Sequence, residues 1–461
     1  MKHAARLLIV FCFCLNLHAQ QAYKMTELDR FNNPNLPRVD GTDIWNDITG
    51  WYNPIDGREY AITGSTDSIY IFLITNNNKL QLVDVEYGAC RFARNRDYET
   101  FGNYLYTVAD QATGVGAMQI FDLSYLPDSV HKVYQSNEFA SFTHTIFVDS
   151  ASKRLYMCGS SGSGAPNTLR ILSLQNPARP TFLADLQVPT INGVPLFTYV
   201  HEMYPRNDTV YLSTGYSGLF IFDLTNLQQQ RLLGLITNYP QQGYNHSGWL
   251  DATGKYLLFT DENIGLSAKI FDISNLVEPK FVSLFNSNPQ AMPHNAYWYG
   301  DFAYVSAYHD GVQVWNLKDP ANPFRVAWFD THPIEPEQYT GFKGCWGVYP
   351  FLPSKRILAS DLTNGIFLLS IDTTLVSVAE PTFADNKLQI YPNPIQNVFT
   401  VQAPTNLIVL KITLMNAQGS RIFNVKPTTN HIYHAEFLPE GVYTVLVETD
   451  KGIFYSKLLK R

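Results

Sequence analysis

One strand-like pattern returns seven times between residues 59 and 360, and a chain that repeats itself in this way has few architectures open to it. The copies are Glu59-Tyr-Ala-Ile-Thr63, Tyr104-Leu-Tyr-Thr-Val108, Arg154-Leu-Tyr-Met-Cys158, Thr209-Val-Tyr-Leu-Ser213, Lys255-Tyr-Leu-Leu-Phe259, Phe302-Ala-Tyr-Val-Ser306 and Arg356-Ile-Leu-Ala-Ser360. Aligned on Tyr60, Tyr106, Tyr156, Tyr211, Leu257, Tyr304 and Ile357, they recur every 46 to 55 residues. A second β-rich run follows each, as at Ile69–Ile74, Leu169–Leu174 and Val312–Leu317, and several close on an Asn-Pro or Asp-Pro turn, as at Asn176-Pro177 and Asp319-Pro320. No stretch carries the 3.6-residue period of an amphipathic helix. Short β-branched and aromatic runs with regular turns mark all-β structure. Seven units of about four strands suit a β-propeller, which leaves no long exposed sheet edge. A sandwich would not need seven near-identical units.

Within a unit four strands are expected. In the fifth they are His246–Leu250 (innermost), Lys255–Asp261, Ala268–Ile273 and Lys280–Phe285 (outermost). The seventh unit lacks an outermost strand after Ile371. The segment Tyr23–Arg30 has the right character to supply it, so the N-terminus is expected to complete the last blade and lock the ring.

The two ends of the chain read differently. Lys2 and Arg6, the apolar run Leu7–Leu17 and the small residue Ala19 have the layout of a signal peptide over 1–19. That run is shorter than the ~20 apolar residues of a membrane helix, and no other stretch approaches that length, so no transmembrane segment is expected in the mature chain. Cys12 and Cys14 lack the small residues that precede a lipoprotein cysteine and would leave with the signal. Cys90, Cys158 and Cys345 remain, with no CxxC or Cys/His metal spacing; three buried thiols is the favoured reading, with one disulfide among them as the alternative. Residues 20–372 form the propeller, 373–386 a linker interrupted by Pro381, and 387–461 a small β-sandwich whose strands alternate apolar and polar residues.

The chain carries a formal charge of −7. Residues 387–461 hold eight basic and four acidic side chains, whereas 20–386 hold 23 basic and 36 acidic ones. A body this acidic argues against nucleic acid, whose binding rests on neutralising phosphates. It suits an extracellular protein, and cations.

The chemistry-bearing residues fall in register. His144, His201, His246 and His294 each lie 10 to 12 residues before the aligned position of their own repeat, at the start of the innermost strand in four consecutive units. Trp346 takes that place in the seventh unit, and Arg96-Asp97 in the second. The second strand runs back to the same face and ends at Asp110, Asp261-Glu262, His309-Asp310 and Asp361. Imidazoles and carboxylates around one channel mouth are the donors a divalent ion takes, and they suit acid–base work near neutral pH. His144, His201, His246, His294, Asp261 and Glu262 are therefore candidate ligands for a single divalent metal ion. Arg96, Asp97, Asp110, His309, Asp310, Trp346 and Asp361 are candidates to line the mouth. Plain structural roles compete with each. A strand-start histidine can bond a neighbouring backbone, Asp310-Gly311 can be a hairpin turn, and Asp110 and Asp361 can fix loop backbone. Adjacent acids at Asp261-Glu262 need a cation or donors nearby. Gly159-Ser-Ser-Gly-Ser-Gly164 fails the order of a nucleophile elbow, and there is no P-loop or dinucleotide fingerprint.

The tail motifs Leu388-Gln-Ile-Tyr-Pro-Asn-Pro394, Leu414-Met-Asn-Ala-Gln-Gly419, Pro439-Glu-Gly-Val-Tyr443 and Lys457-Leu-Leu-Lys460 closely resemble the type A sorting domain of Bacteroidota type IX secretion. The residues that carry the match are Tyr391, Pro392, Asn393, Pro394, Gly419, Gly441, Tyr443 and Lys457. This resemblance implies recognition by the type IX machinery after Sec-dependent export to the periplasm. It further implies removal of the domain, with attachment of the mature protein to surface lipopolysaccharide. The body, through Gly57-Arg-Glu-Tyr-Ala61, Arg96-Asp97, Tyr199-Val-His201, His246-Ser-Gly-Trp249, Asp261-Glu262 and Pro293-His-Asn295, resembles the choice-of-anchor B family of LVIVD-repeat propellers. It departs from that pattern at Asn95, Thr145 and Glu202, and the resemblance implies architecture and location but no activity. The sequence thus reads as a secreted or surface-anchored propeller that binds a glycan, peptide or protein at its polar mouth. A metal-assisted lyase or hydrolase on extracellular polysaccharide is the alternative, and a structural surface protein with no ligand is the third reading.

Overall fold

A computed structural model describes residues 22–372 except 117 and 334–337, and in the tail 389–402, 409–415, 421–425, 432–449 and 452–461. The expected signal peptide (1–19), the linker (373–386) and Gly419 lie outside these residues. The chain divides into two compact units, Met1–Asp372 and Thr373–Arg461. Every regular element is a β-strand, and no helix occurs among the described residues.

Among the described residues the first unit has seven antiparallel sheets of four or five strands and one short ribbon. The innermost strands are Trp45–Tyr52, Asn95–Phe101, Thr145–Asp149, Glu202–Arg206, Asn245–Leu250, Ala296–Tyr299 and Cys345–Tyr349. The first five, and the last against the first, pack on their neighbours in chain order. Contact between the sixth and seventh sheets is carried by Phe302–Ser306 against Cys345–Tyr349.

Apolar side chains fill the gaps between sheets rather than one central core. Trp51, Ile62, Leu105 and Phe121 join the first and second sheets, Tyr106, Val108, Leu155 and Leu172 the second and third, and Tyr156, Ile171, Val210 and Phe222 the third and fourth. Trp45, Phe72, Leu358 and Leu368 join the first to the seventh. Each such side chain contributes ~1.5–3 kcal/mol by leaving water. The repeated tyrosine has a second use. Tyr106 is fully buried, and its hydroxyl donates to the carbonyl of Pro177, 2.8 Å away in the turn of the next sheet. Between the second and third sheets the Tyr and the Asn-Pro turn are thus two halves of one contact, whereas the hydroxyls of the equivalent Tyr60 and Tyr156 find no such partner.

The N-terminal segment is shared between two sheets. Ala22–Tyr23 pairs with Phe324–Phe329 in the sixth, and Met25–Phe31 pairs with Gly365–Ile371 in the seventh. The seventh sheet therefore takes its outermost strand from the start of the chain. Cys90, Cys158 and Cys345 are buried free thiols.

The second unit has a three-stranded sheet (Gln389–Tyr391, Val398–Gln402, Ile432–His434) and a four-stranded one (Arg421–Val425, Val409–Met415, Gly441–Thr449, Gly452–Lys460). Ile390, Phe399, Val401, Ile412, Leu414, Val445 and Leu458 share one core. Of the sorting-motif residues, Tyr391 ends the first strand, and Pro392, Asn393 and Pro394 form the bend after it. The Asn393 side chain accepts from the Leu459 amide at 2.9 Å. Gly441 opens its strand, the Tyr443 hydroxyl donates to Pro439 at 2.7 Å, and Lys457 pairs in register with Thr444.

Candidate functional site

The inner strands of the first unit surround a chamber of about 300 Å³. Side chains alternate across a strand, so positions two apart on an inner strand share a side. The lining sorts into three kinds of residue. His144, His201, His246 and His294, with Trp346, form one group; Asp47, Asp97, Glu99 and Glu202 are acids; Phe147, Trp249, Tyr297, Tyr349 and Phe351 are aromatic. No lysine or arginine is among the lining residues.

The four histidines stand in one continuous arc. Ring centroids are 4.2 Å apart for His144–His201, 4.0 Å for His201–His246 and 4.4 Å for His246–His294. They are not an open mouth, however, because all four are buried, with 2–8% of their surface exposed. His144 Nε2 and His201 Nε2 lie 2.7 Å apart, sharing one proton between them, and His144 Nδ1 lies 2.6 Å from Asp110 Oδ2. Burial opposes charge on His144, but the hydrogen bond and charge of Asp110 outweigh it and raise its pKa. Burial, reinforced by the positive His144, drives His201 and His246 down, and holds His294 at about 3 despite its 2.5 Å bond to the Trp346 carbonyl. Within the arc His144 is pushed toward the charged form and its neighbours toward the neutral one, and neutral imidazole is the form that ligates metal.

Glu262 faces this arc, 3.7 Å from His246 Nε2 and 3.5 Å from His294 Nε2, and accepts a hydrogen bond from the Tyr308 hydroxyl. Burial raises its pKa to about 7. His201, His246 and Glu262 each offer a ligand atom, and the three atoms lie within 4.8 Å of one another. His201 and His246 each also reach backbone of the next strand start, at His246 and His294, as His294 does at Trp346. Three N/O donors so grouped fit a zinc-type ion.

Asp261 does not belong to this group. It ends its strand with its side chain directed away from Glu262's, where Lys269 Nζ lies 2.6 Å away and the Tyr239 hydroxyl donates at 2.9 Å. Lys269 and Asp261 are both fully buried, so the cation that balances adjacent acids at 261 and 262 is a lysine of the same sheet. Arg96 likewise turns away from the chamber. Its guanidinium donates to the carbonyls of Ser65, Thr66 and Cys90 at 2.6–3.1 Å, against Gly88, where any Cβ would collide with it. Asn95, its neighbour, takes the strand-start position and donates to the His144 carbonyl at 2.7 Å.

Three other mouth candidates lie apart from the chamber lining. His309 packs on the ring of Tyr339 at 5.3 Å, and Asp310 accepts from the Tyr339 hydroxyl at 2.5 Å. Asp361 accepts from the Thr331 hydroxyl and the amides of Thr363 and Asn364 at 2.8–2.9 Å, and burial raises its pKa to about 6. It fixes loop backbone in the Asx manner. Asp110 enters the site only as the partner of His144.

Asp97 does line the chamber, with acids that the strand-start register did not single out. Asp97 accepts from the amides of Tyr98 and Ile146, Asp47 from that of Ile48, and the two carboxyls are hydrogen-bonded to one another. Burial raises the pKa of Asp47, Asp97, Glu99 and Glu202, and for all but Asp97 their mutual repulsion adds to it. Glu99 and Glu202 keep some accessible area, but it opens onto the channel and protein surrounds them, so burial dominates. One sequence signal could have found this layer. Asp97 and Glu99 are two apart on an inner strand and so share a side, and Glu202 follows a strand-start histidine.

Comparison with known proteins defines the class first. The chain is similar in structure to a crystal structure of the WD40 repeats of RRP9, with a TM-score of 0.50 and 10% sequence identity, covering 76% of this chain and 97% of that one. The body is therefore propeller-like. No curated protein matches the chain in sequence. The tail is more specific: residues 389–461 match the secretion system C-terminal sorting domain. That domain belongs to type IX secretion, and it marks the chain as a secreted or cell-surface protein recognised by that system.

Proposed function

We propose that the body is a seven-bladed propeller of the choice-of-anchor B type, displayed by a bacterium of the Bacteroidota as a binding module, with a divalent metal ion at the histidine arc. In this reading the chain reaches the periplasm by the Sec route. The type IX system then carries it across the outer membrane, and the body is left on surface lipopolysaccharide once the sorting domain is removed. The metal's role in the module is to order the inner strands and polarise an oxygen of a glycan, peptide or protein partner.

One observation carries the metal: the donor atoms of His201, His246 and Glu262 converge within 4.8 Å on three different strands or strand ends. Asp261, Asp361 and Arg96 are each engaged elsewhere, which leaves Glu262 and the chamber acids as the acid–base groups by the arc, and we rank binding above metal-assisted catalysis because no nucleophile is assigned among them. Elemental analysis of the purified full chain tests it. We expect about one zinc-type ion per chain, a melting temperature that falls with chelator, and loss of both in His246→Ala. An excess of ion at 100 times its Kd stabilises by about 2.7 kcal/mol. A metal-free protein whose melting temperature ignores chelator and added zinc, manganese or calcium overturns the metal site.

A further inference from the structure

We propose that the chamber beside the histidine arc binds a primary alkylammonium group, held by the carboxyls of Asp97, Glu99 and Glu202, the Asn295 amide oxygen and the rings of Trp249 and Tyr297. All six line the same cavity. Burial raises the pKa of these acids, and no lysine or arginine of the lining supplies the positive charge that would favour their ionised form; an ammonium does. Glu202 forms no hydrogen bond or ion pair among the described residues, and Glu99 touches only the backbone at Thr100. Independently of the acids, Asn295 is 94% buried, its exposure being 6%, and its Oδ1 has no hydrogen-bond partner. A buried acceptor left bare costs free energy, and an ammonium N–H would satisfy it.

The rings decide between kinds of cation. Trp249 packs on Tyr297 at 5.0 Å and on Phe351 at 5.4 Å, and Phe351 meets Tyr349 at 5.4 Å, so the acids are flanked by a continuous aromatic wall. A hydrated inorganic ion gains little from such a wall, whereas an alkylammonium places its charge and its CH₂ groups against ring faces. Ionised against an ammonium, the carboxyls are acceptors only, as is the Asn295 oxygen, and a primary ammonium brings three donors where a quaternary one brings none. At about 300 Å³ the chamber is at the small end of ligand sites, which suits a chain end rather than a whole sugar. Free diamines and lysine side chains share this chemistry.

The site uses none of His201, His246 or Glu262 as ammonium contacts, so it stands or falls apart from the metal. Titration calorimetry of the full chain with putrescine, N-acetyl-lysine amide and tetramethylammonium tests it. We expect one putrescine or lysyl site per chain, with tetramethylammonium at least about tenfold weaker for want of donors. Glu202→Gln and Glu99→Gln each weaken putrescine roughly tenfold to a hundredfold, the scale of one charge-assisted hydrogen bond. Both variants should fold, because neither side chain anchors the surrounding backbone beyond Thr100. Preference for putrescine over the lysyl probe assigns the source as a free diamine, and the reverse assigns a protein side chain. No binding of either amine, binding unchanged in Glu202→Gln and Glu99→Gln, or equal binding of tetramethylammonium overturns the proposal.

Discussion

Asp261 and Glu202 are both acids buried in the same ring of sheets, yet they sit in opposite circumstances. Asp261 lies within its own sheet, closed off by Lys269 and the Tyr239 hydroxyl. Glu202 faces the chamber with no such partner. The same contrast separates Arg96, spent on three carbonyls, from the Asn295 oxygen, bonded to nothing. Asp261 and Arg96 are matched inside the protein, whereas Glu202 and the Asn295 oxygen at the axis are not. Burial by itself therefore says little about function; the presence or lack of a built-in partner says much more.

Substitutions should follow that divide. The largest expected effect is at Lys269. Lys269→Met strands the Asp261 carboxylate in a fully buried position, and breaking such a pair costs about 3–5 kcal/mol, read as a lower midpoint in urea. Next comes Arg96→Met, which leaves the carbonyls of Ser65, Thr66 and Cys90 without their donor for roughly 1–3 kcal/mol. Smallest, and opposite in sign, is Glu99→Gln in the chamber. Burial and the neighbouring Asp97 and Asp47 raise the Glu99 pKa well above 4.5. Between that ordinary value and the raised one, the folded chain keeps a proton that the unfolded chain releases, so stability falls as pH rises through the window. The glutamine cannot lose that proton. Thermal melts should show it more stable than the parent at pH 8, with the lead gone by pH 4. A destabilising Glu99→Gln at pH 8 would mean the chamber acids are internally matched after all, and the contrast would fail.

Much of this was legible in the sequence, because a repeat shows what must be the same in every unit. The tyrosine strand, the Asn-Pro turns and the need for an outermost strand from Tyr23–Arg30 all follow from periodicity. So do the four histidines, which hold one register position. The acids at Asp47, Glu99 and Glu202 hold no common type in the other units, where Phe147, Trp249 or Tyr297 stand near the axis, and comparing copies averages them away. Arg96 and Asp261 failed for a different reason. Each neighbours a residue that does face the axis (Asp97 and Glu262), and a strand sends adjacent side chains to opposite sides. The register was right to within one residue, and one residue is enough to turn a ligand into a brace. The tail was the easiest reading, since its strands alternate cleanly about a single small core.

The strand Gly365–Ile371 is hydrogen-bonded on one side to Ile357–Asp361 and on the other to Met25–Phe31, and the Asp372 amide closes the last bond onto Lys24. It is the final stretch of the body before the tail. Any pull transmitted through the C-terminal side thus runs along the length of a strand gripped by two ladders at once, which must slide together rather than peel apart one bond at a time. The seven residues of this strand are held from both sides, and freeing them means breaking a ladder to the start of the chain as well as one to their own sheet.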